Sequence, residues 1–136
     1  MKIYIAGPMS NIPRYNFPAF ADAAARWREI GHDVITPPEI TNALWRERYG
    51  RDYDPVTDRA EWGDPVTCEL FKRDLAAVCD VDAIALLPGW HQSRGAKMEI
   101  TIARALGKVC YCAQTFTPLD VEAQIMLLGL GVPRVP

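Results

Sequence analysis

The stretch VDAIALLPGWHQSRGAKMEITIARALGKVCYC, residues 81–112, decides how this chain folds. Residues 81–87 form an apolar run that only Asp82 interrupts, a pattern typical of a strand buried inside a parallel sheet. A proline and a glycine end the run, and we expect a helix over residues 94–106, capped by the glycine that follows. A further strand is predicted at residues 108–112, so the stretch forms a strand–helix–strand unit.

The rest of the chain repeats this alternation of strands and helices. Further strands are predicted at residues 2–6 and 33–36, and further helices at residues 17–30, 65–79 and 118–128. Such alternation favours an α/β fold, in which a parallel sheet of four to five strands carries helices on both faces. We therefore predict a single Rossmann-like (flavodoxin-like) domain over residues 1–136, with a polar, partly helical insert at about residues 39–66.

Composition and charge narrow the class of function. The chain has 136 residues, of which 49% are hydrophobic and 24% charged, and its formal net charge is −2. No basic stripe is visible, which argues against a nucleic-acid polymer as partner. No apolar run approaches the roughly 20 residues that span a bilayer, and no signal peptide is evident. We therefore expect no membrane partner and a cytoplasmic location.

The sequence offers no pattern for a metal ion or a bound cofactor. None of the four cysteines forms a CxxC pair, and His32 and His91 lie far apart, so no metal site is expected. We interpret the cysteines as reduced packing residues. The chain also lacks a GxxxxGK[ST] loop, a strand-linked GxGxxG and a GxSxG elbow, which argues against kinases, dinucleotide-dependent enzymes and serine hydrolases.

Two loops are candidates for ligand binding, because ligands of open parallel sheets bind at the carboxyl ends of the strands. These loops, at residues 7–16 and 88–95, are rich in glycine, proline and small polar residues. Ser93 either caps the following helix or binds an oxyanion, and Gly95 lets an oxyanion approach the backbone. The candidate substrate-binding residues are Gly7, Met9, Ser10, Asn11, Arg14, Pro88, Gly89, Trp90, His91, Ser93 and Gly95. For the tryptophan and the histidine, loop surface is an equal alternative.

Three further side chains are candidates for chemistry, and each has a structural alternative. Glu99 shares a helical stripe with small and apolar residues, so it is either a functional carboxylate or a partner of the helix dipole. Asp74 lies on the preceding helix, where a solvated position in a charged face is the alternative. Tyr4 in the first strand is either functional or a core tyrosine with a paired hydroxyl. Asp80 and Asp82 flank the wrong end of a strand for a ligand site, so we interpret them as structural.

Three segments of the sequence match a known family pattern. They are Ile3-Tyr-Ile-Ala-Gly-Pro-Met9, then Asp74 ahead of Asp80-Val-Asp-Ala-Ile84, then Ser93-x-Gly95-x-x-x-Glu99-Ile-x-x-Ala103-x-x-Leu-Gly107-Lys. Together they resemble the nucleoside 2-deoxyribosyltransferase superfamily, which includes the 2'-deoxynucleoside 5'-phosphate N-hydrolases. The resemblance extends to a small, often phage-associated branch of deoxyribosyltransferase-like proteins. It covers most of the chain, except about residues 39–66 and the C-terminal tail.

The resemblance implies the same α/β fold and a role for each matching residue. Glu99 corresponds to the nucleophilic glutamate of the family, and Asp74 to the aspartate that assists departure of the base. Tyr4 corresponds to a tyrosine that contacts the glutamate or the sugar. Ser93 and Gly95 correspond to the loop that holds the sugar or its 5'-phosphate.

Two positions depart from the pattern of the N-hydrolases. Where those enzymes carry an arginine after the first strand, this chain has Ser10, with Asn11 and Arg14 nearby. The serine that a neighbouring subunit contributes to phosphate binding has no match around residues 121–125. Both departures argue against a 5'-monophosphate substrate, and neither affects the nucleophile.

The resemblance also implies a homodimer or a higher homo-oligomer, because family members complete their pockets with a neighbouring subunit. The apolar segment Ile125-Met-Leu-Leu128 of the last helix is the candidate interface. Packing of this segment in the core is the alternative.

The expected activity is cleavage of the N-glycosidic bond of a 2'-deoxynucleoside or its 5'-monophosphate, without a cofactor and with transfer to water or another base. A carboxylate below the anomeric carbon can trap the oxocarbenium-like state as a glycosyl-enzyme.

One alternative is a phosphoribohydrolase acting on a ribonucleotide, suggested by Pro88-Gly89 ahead of Gly95 and Glu99. The other is a non-catalytic module that binds or senses nucleotides, in which the polar insert serves a partner.

Overall fold

The computed structural model describes residues 1–129 of the chain. The strands are β1 (Lys2–Ala6), β2 (Asp33–Ile35), β3 (Ala83–Leu86) and β4 (Val109–Cys112). The helices are α1 (Phe17–Glu29), α2 (Pro37–Tyr49), α3 (Pro65–Asp80), α4 (Arg94–Ala105) and α5 (Val121–Leu128), with short 3₁₀ turns at Pro13–Asn16 and Trp90–Gln92. The predicted domain extends to residue 136, and its last part, residues 130–136, lies outside the described residues.

The four strands form one parallel sheet in the order β2-β1-β3-β4. The predicted α/β class with a parallel sheet is therefore confirmed, with four strands within residues 1–129. The chain moves from β1 to β2 in one direction and then crosses back to β3 on the other side of β1. Such a reversal leaves a crevice between the two loops that follow β1 and β3, where ligands of this fold class bind.

Helices cover both faces of the sheet, as the alternation of side chains along each strand requires. Ile3 and Ile5 of β1 face α1, where they pack with Phe20 and Trp27. Tyr4 and its neighbours on the other face pack against α3, α4 and α5. Trp27 is 2% exposed and its indole nitrogen donates to the Ala113 carbonyl at 2.9 Å, so its truncation to alanine would cost about 3–5 kcal/mol.

The polar insert is a helix followed by a loop, and its helix begins two residues before the predicted insert. Pro37 and its neighbour begin α2 and do not merely end β2, because proline is well suited to the first turn of a helix. The Thr36 hydroxyl caps this helix by accepting from the Glu39 amide at 3.3 Å. Gly50, in the left-handed conformation, ends it, so only residues 50–64 of the insert form an irregular loop.

Other boundaries differ by a few residues from the predicted ones. Strand β3 is shorter than the apolar run, and α5 begins at Val121 and not at Pro118. Pro118 instead forms an antiparallel bridge with Tyr111, and Asp120 caps α5 by accepting from the Ala123 amide at 3.0 Å. The helix therefore starts only after the chain has left the sheet edge.

The aspartates at the amino ends of the strands are structural, as predicted. The Lys2 amide donates to Asp82 at 2.8 Å, and the Lys2 ammonium pairs with Asp80.

The interpretation of the cysteines as packing residues is wrong for two of the four, since Cys68 and Cys79 are exposed. Within residues 1–129, the helices fall short of the length and hydropathy that crossing a membrane requires.

Candidate active site

A cavity of about 560 Å³ lies at the carboxyl ends of β1 and β3, in the crevice expected for this topology. Its volume falls within the roughly 300–1,000 Å³ typical of small-molecule sites. The walls come from the loop after β1, from α2, from residues 50–64, from α3 and from the first turns of α4. Elements that are distant in sequence therefore meet at one site.

Glu99 lines this cavity, and Tyr4, which is not among the lining residues, lies against Glu99. Glu99 is 4% exposed on α4, and the buried Tyr4 hydroxyl donates a hydrogen bond to its Oε2. Burial and the neighbouring Asp74 carboxyl group raise the pKa of Glu99 well above its ordinary value, while the bond from Tyr4 acts in the opposite direction. Burial followed by the charge of Glu99 raises the pKa of Tyr4, so this hydroxyl keeps its proton and stays a donor.

Asp74 supplies a second carboxyl group to the same cavity, from α3. Its Oδ1 is buried and has no hydrogen-bond partner within residues 1–129. Burial raises the pKa of Asp74 to about 8, so near neutral pH this group holds a proton. The site thus combines an acid that can donate a proton with a glutamate that accepts from a tyrosine.

The loop after β1 reaches the cavity because Gly7 has no side chain. A Cβ atom at this position would lie 2.7 Å from the Cβ of Leu87, closer than real contacts allow. The loop is further held by Asn16, whose side-chain amide donates to the Pro8 carbonyl at 2.9 Å. Four of the predicted residues of this loop line the cavity, namely Gly7, Met9, Ser10 and Asn11.

The first turn of α4 forms another part of the wall. The Ser93 hydroxyl accepts from the Ala96 amide at 3.1 Å, so this residue is the helix cap and also lines the cavity with Gly95. The Arg94 guanidinium lies 4.7 Å from the centre of the Trp62 ring, which belongs to the loop of residues 50–64. That contact joins the loop to α4.

Five of the predicted binding residues lie outside the cavity lining. Trp90 is 4% exposed and packs in the core below α4, and His91 contacts its ring at a centroid distance of 5.7 Å. Pro88 and Gly89 form the turn before them, with Gly89 in the left-handed conformation. Arg14 borders a separate groove of about 480 Å³. The 3₁₀ turn after β3 rotates this part of the loop toward the core, which spacing alone does not reveal.

Sequence reasoning missed the aromatic part of the cavity. Its aromatic lining residues are Tyr15, Phe17, Tyr53, Trp62 and Phe71. Tyr53 lies 4.8 Å from Trp45 between ring centroids, in a small core formed with α2 and α3. The aromatic residues inside an otherwise polar insert were the sequence signal that could have revealed this lining.

Within residues 1–129, no group of three or more His, Cys, Asp or Glu side chains is arranged to hold a metal ion.

Comparison with known proteins places the chain in a family. A family model described as a domain of unknown function, DUF4406, matches residues 1–111. The chain belongs to the DUF4406 family. No curated protein matches this DUF4406 chain.

The chain is similar in fold to a solved structure. It is a 2-deoxyribosyltransferase from the psychrotolerant bacterium Bacillus psychrosaccharolyticus, 22% identical, with a TM-score of 0.55 over 81% of this chain and 69% of that one. At this identity the likeness shows a shared fold. The fold that the sequence resemblance implies for this DUF4406 protein is therefore confirmed.

Proposed function

We propose that this protein cleaves the N-glycosidic bond of a 2'-deoxynucleoside or its 5'-monophosphate and transfers the sugar to water or another base. The observation that carries the proposal is that Glu99 and Asp74 line one cavity at the switch point of the sheet, with the buried Tyr4 hydroxyl donating to Glu99. The fold shared with a 2-deoxyribosyltransferase supports it. No cofactor is needed for this chemistry.

In the first step, a Glu99 oxygen forms a bond to the anomeric carbon while the carbon–nitrogen bond breaks. The bonding electron pair leaves with the base, which takes the proton of Asp74. The hydrogen bond from Tyr4 favours the ionised form of Glu99, and the burial of Asp74 keeps its proton in place. One proton shared by the two carboxyl groups is the state that this step requires.

In the second step, water or another base attacks the anomeric carbon and the bond to Glu99 breaks. The Asp74 carboxylate then takes the proton of the incoming group, which restores the starting state. A 2-deoxy sugar favours both steps, because it lacks the electron-withdrawing 2-hydroxyl group that destabilises an oxocarbenium-like state. Access of water to the cavity decides between hydrolysis and transfer.

The test is a chromatographic assay for free base. Wild type, Glu99→Ala and Glu99→Gln are incubated with the deoxynucleosides and their 5'-monophosphates, with and without an acceptor base. We expect release by wild type and a loss of at least about a thousandfold in both variants, since removal of a nucleophile has effects of this order. The glutamine variant keeps the side-chain volume and an acceptor for Tyr4.

The matched control is Glu29→Ala, which removes an exposed carboxylate on α1, on the other face of the sheet. It should keep wild-type activity. Thermal unfolding of every variant shows that loss of activity is not loss of fold. Full activity of Glu99→Gln, or no release of any base by wild type, would contradict the proposed reaction.

A further inference from the structure

Two helices that run in the same direction supply the two carboxyl groups of the cavity. Helix α3 carries Asp74 and ends just before the amino end of β3, whereas α4 carries Glu99 and begins after the carboxyl end of β3. The two helices pack against each other, and both begin on the side of the sheet where the cavity lies. Residues that precede the two acids along these helices therefore lie farther out from the carboxyl edge of the sheet.

The Trp62 side chain, from the loop of residues 50–64, contacts both helices. The centre of its ring lies 5.5 Å from that of Phe71 on α3. The guanidinium carbon of Arg94 on α4 lies 4.7 Å from the ring centre, and a Cβ atom on Gly95 would lie 3.8 Å from the indole. One aromatic side chain therefore spans the two helices that carry the acids.

These contacts place the indole about one helical turn from each acid. Phe71 precedes Asp74 by three residues on α3, and Gly95 precedes Glu99 by four residues on α4. At 1.5 Å per residue, these separations are about 4.5 and 6 Å along the helix axes. Trp62 lines the cavity and is 44% exposed, so it also contacts solvent. The ring therefore lies at the boundary between bulk water and the part of the cavity that holds the acids.

The face of α3 beside Trp62 offers water few partners. Thr67, Leu70 and Phe71 line the cavity there at helical spacing. The Thr67 hydroxyl already donates to the Glu61 carbonyl at 2.6 Å, and the other two side chains are apolar. A water molecule stays in a cavity only where about two to four polar groups bind it. A flat aromatic base, in contrast, gains contact with such a wall.

A tight turn holds the backbone of Trp62 at the start of α3. The Asp64 amide donates to the Glu61 carbonyl at 3.1 Å, and the Glu61 amide donates to the Asp64 carboxylate at 3.1 Å. Gly63 has a φ of +98°, in the left-handed region that favours glycine. The indole is therefore held against the two helices from its own backbone as well as through its ring contacts.

We infer that Trp62 determines which acceptor receives the sugar, because it screens the glycosyl-enzyme from water and so favours transfer to a base. This inference rests on the proposed function. In hydrolysis, a water oxygen bonds to the anomeric carbon, its proton passes to the Asp74 carboxylate and the bond to Glu99 breaks. With a base as acceptor, a ring nitrogen forms the new bond and the proton follows the same course. Trp62 takes part in neither bond change, and its effect is on the access of water, whose exclusion protects a reactive intermediate from hydrolysis.

The test follows the glycosyl-enzyme without an acceptor base. Rapid-quench chromatography of wild type, with the substrate that it cleaves in the base-release assay, should show a burst of base equal to the enzyme concentration. A slow phase follows, because attack by water then limits turnover. Trp62→Ala should keep the burst and accelerate the slow phase at least about tenfold, which corresponds to a barrier about 1.4 kcal/mol lower. Loss of fold would lower both phases and cannot produce this gain.

Two further variants separate the ring from its surroundings. With an acceptor base present, the share of sugar that passes to water should rise in Trp62→Ala, whereas Trp62→Phe keeps an aromatic ring and should stay closer to wild type. Tyr49→Ala removes an exposed ring at the end of α2, outside the cavity lining, and is the matched control. It should leave the burst, the slow phase and the partition between water and base unchanged.

Three results would overturn the inference. Steady release of base by wild type without a burst would show that water attacks the intermediate freely. Equal slow phases in wild type and Trp62→Ala would refute only the role of Trp62, as would a variant that loses the burst but keeps the wild-type partition, since the ring would then act in substrate binding. No release of base by wild type would instead refute the proposed function, and this role of Trp62 with it.

Discussion

The Asp74 carboxyl group has two properties with one physical cause. Burial without a hydrogen-bond partner makes the charged form costly, and the same burial keeps the proton on the group near neutral pH. A solvated aspartate at this position would be ionised and could give no proton to a leaving base. Stability is therefore lost at the residue that the proposed reaction needs.

We predict that this cost depends on pH in a defined window. The pKa of Asp74 rises from an ordinary value near 4 in the unfolded chain to about 8 in the folded one, so the folded state binds the extra proton between these values. The stability that this proton contributes is complete below about pH 4 and is lost as the pH rises toward 8, by up to about 1.4 kcal/mol per pH unit. Asp74→Asn cannot ionise and should escape this loss.

Urea unfolding at pH 5, 6, 7 and 8 measures the effect. The free energy of unfolding of wild type, relative to Asp74→Asn, should fall by at least about 2 kcal/mol across this range. Asp22→Asn, an exposed change on α1, serves as the control and should show no such trend. Parallel pH profiles for wild type and Asp74→Asn would show that Asp74 is ionised in the folded protein, against the prediction.

Between α2 and α3, the loop of residues 50–64 is stabilised by hydrogen bonds among its own side chains and backbone. Arg51 binds Asp58 through two nitrogens at 2.6 and 2.8 Å, and the Asp54 amide donates to the same carboxylate at 2.8 Å. The hydrogen bond from Arg51 lowers the pKa of Asp58 to about 2, so the pair is ionised at ordinary pH. This network holds Tyr53 and the following residues against the cavity.

We predict that Arg51→Met loosens this loop while the rest of the fold is unaffected. Hydrogen exchange at the Asp54 amide should accelerate at least about tenfold, because this amide exchanges when the loop opens locally and does not require global unfolding. The global free energy of unfolding should change little, since the substituted Arg51 side chain is exposed and ion pairs at the surface contribute little. Arg46→Met removes the exposed pair with Asp52 and is the matched control. Equal exchange at Asp54 in wild type and Arg51→Met would contradict the role assigned to the pair.

The secondary-structure elements differ in how far they could be predicted from neighbouring residues in the sequence. The strands, α1, α4 and the cap at Ser93 could be predicted, because hydrophobic period and capping chemistry act within a few residues. The positions of Trp62 and Trp90 could not, since the first depends on contacts with α4 and the second on how a 3₁₀ turn rotates. Sequence reasoning therefore located the buried acids and missed the aromatic residues that line the same cavity.

At the level of the whole molecule, the strand order determines where chemistry can occur. The reversal of strand order between β1 and β3 opens a crevice at the carboxyl edge of the sheet. The two faces of β1 have different roles. One face buries Ile3 and Ile5 under α1, and the other presents Tyr4 to α4. The catalytic set proposed here therefore belongs to the same face as α3, α4 and α5.

The outer surface of α5 gives the last prediction, which concerns assembly. Ile125 is buried in the core, whereas Met126 and Leu127 are 73% and 83% exposed, so the apolar segment divides into a core residue and a surface patch. A homodimer through this patch would remove it from water. We expect light scattering at micromolar concentration to give twice the mass of one chain, and Leu127→Glu to give a single chain. Ile30→Glu, a matched change at a 54% exposed residue at the end of α1, should leave the dimer intact. A monomeric wild type, or equal dissociation by both glutamates, would show that this face of α5 is not the interface.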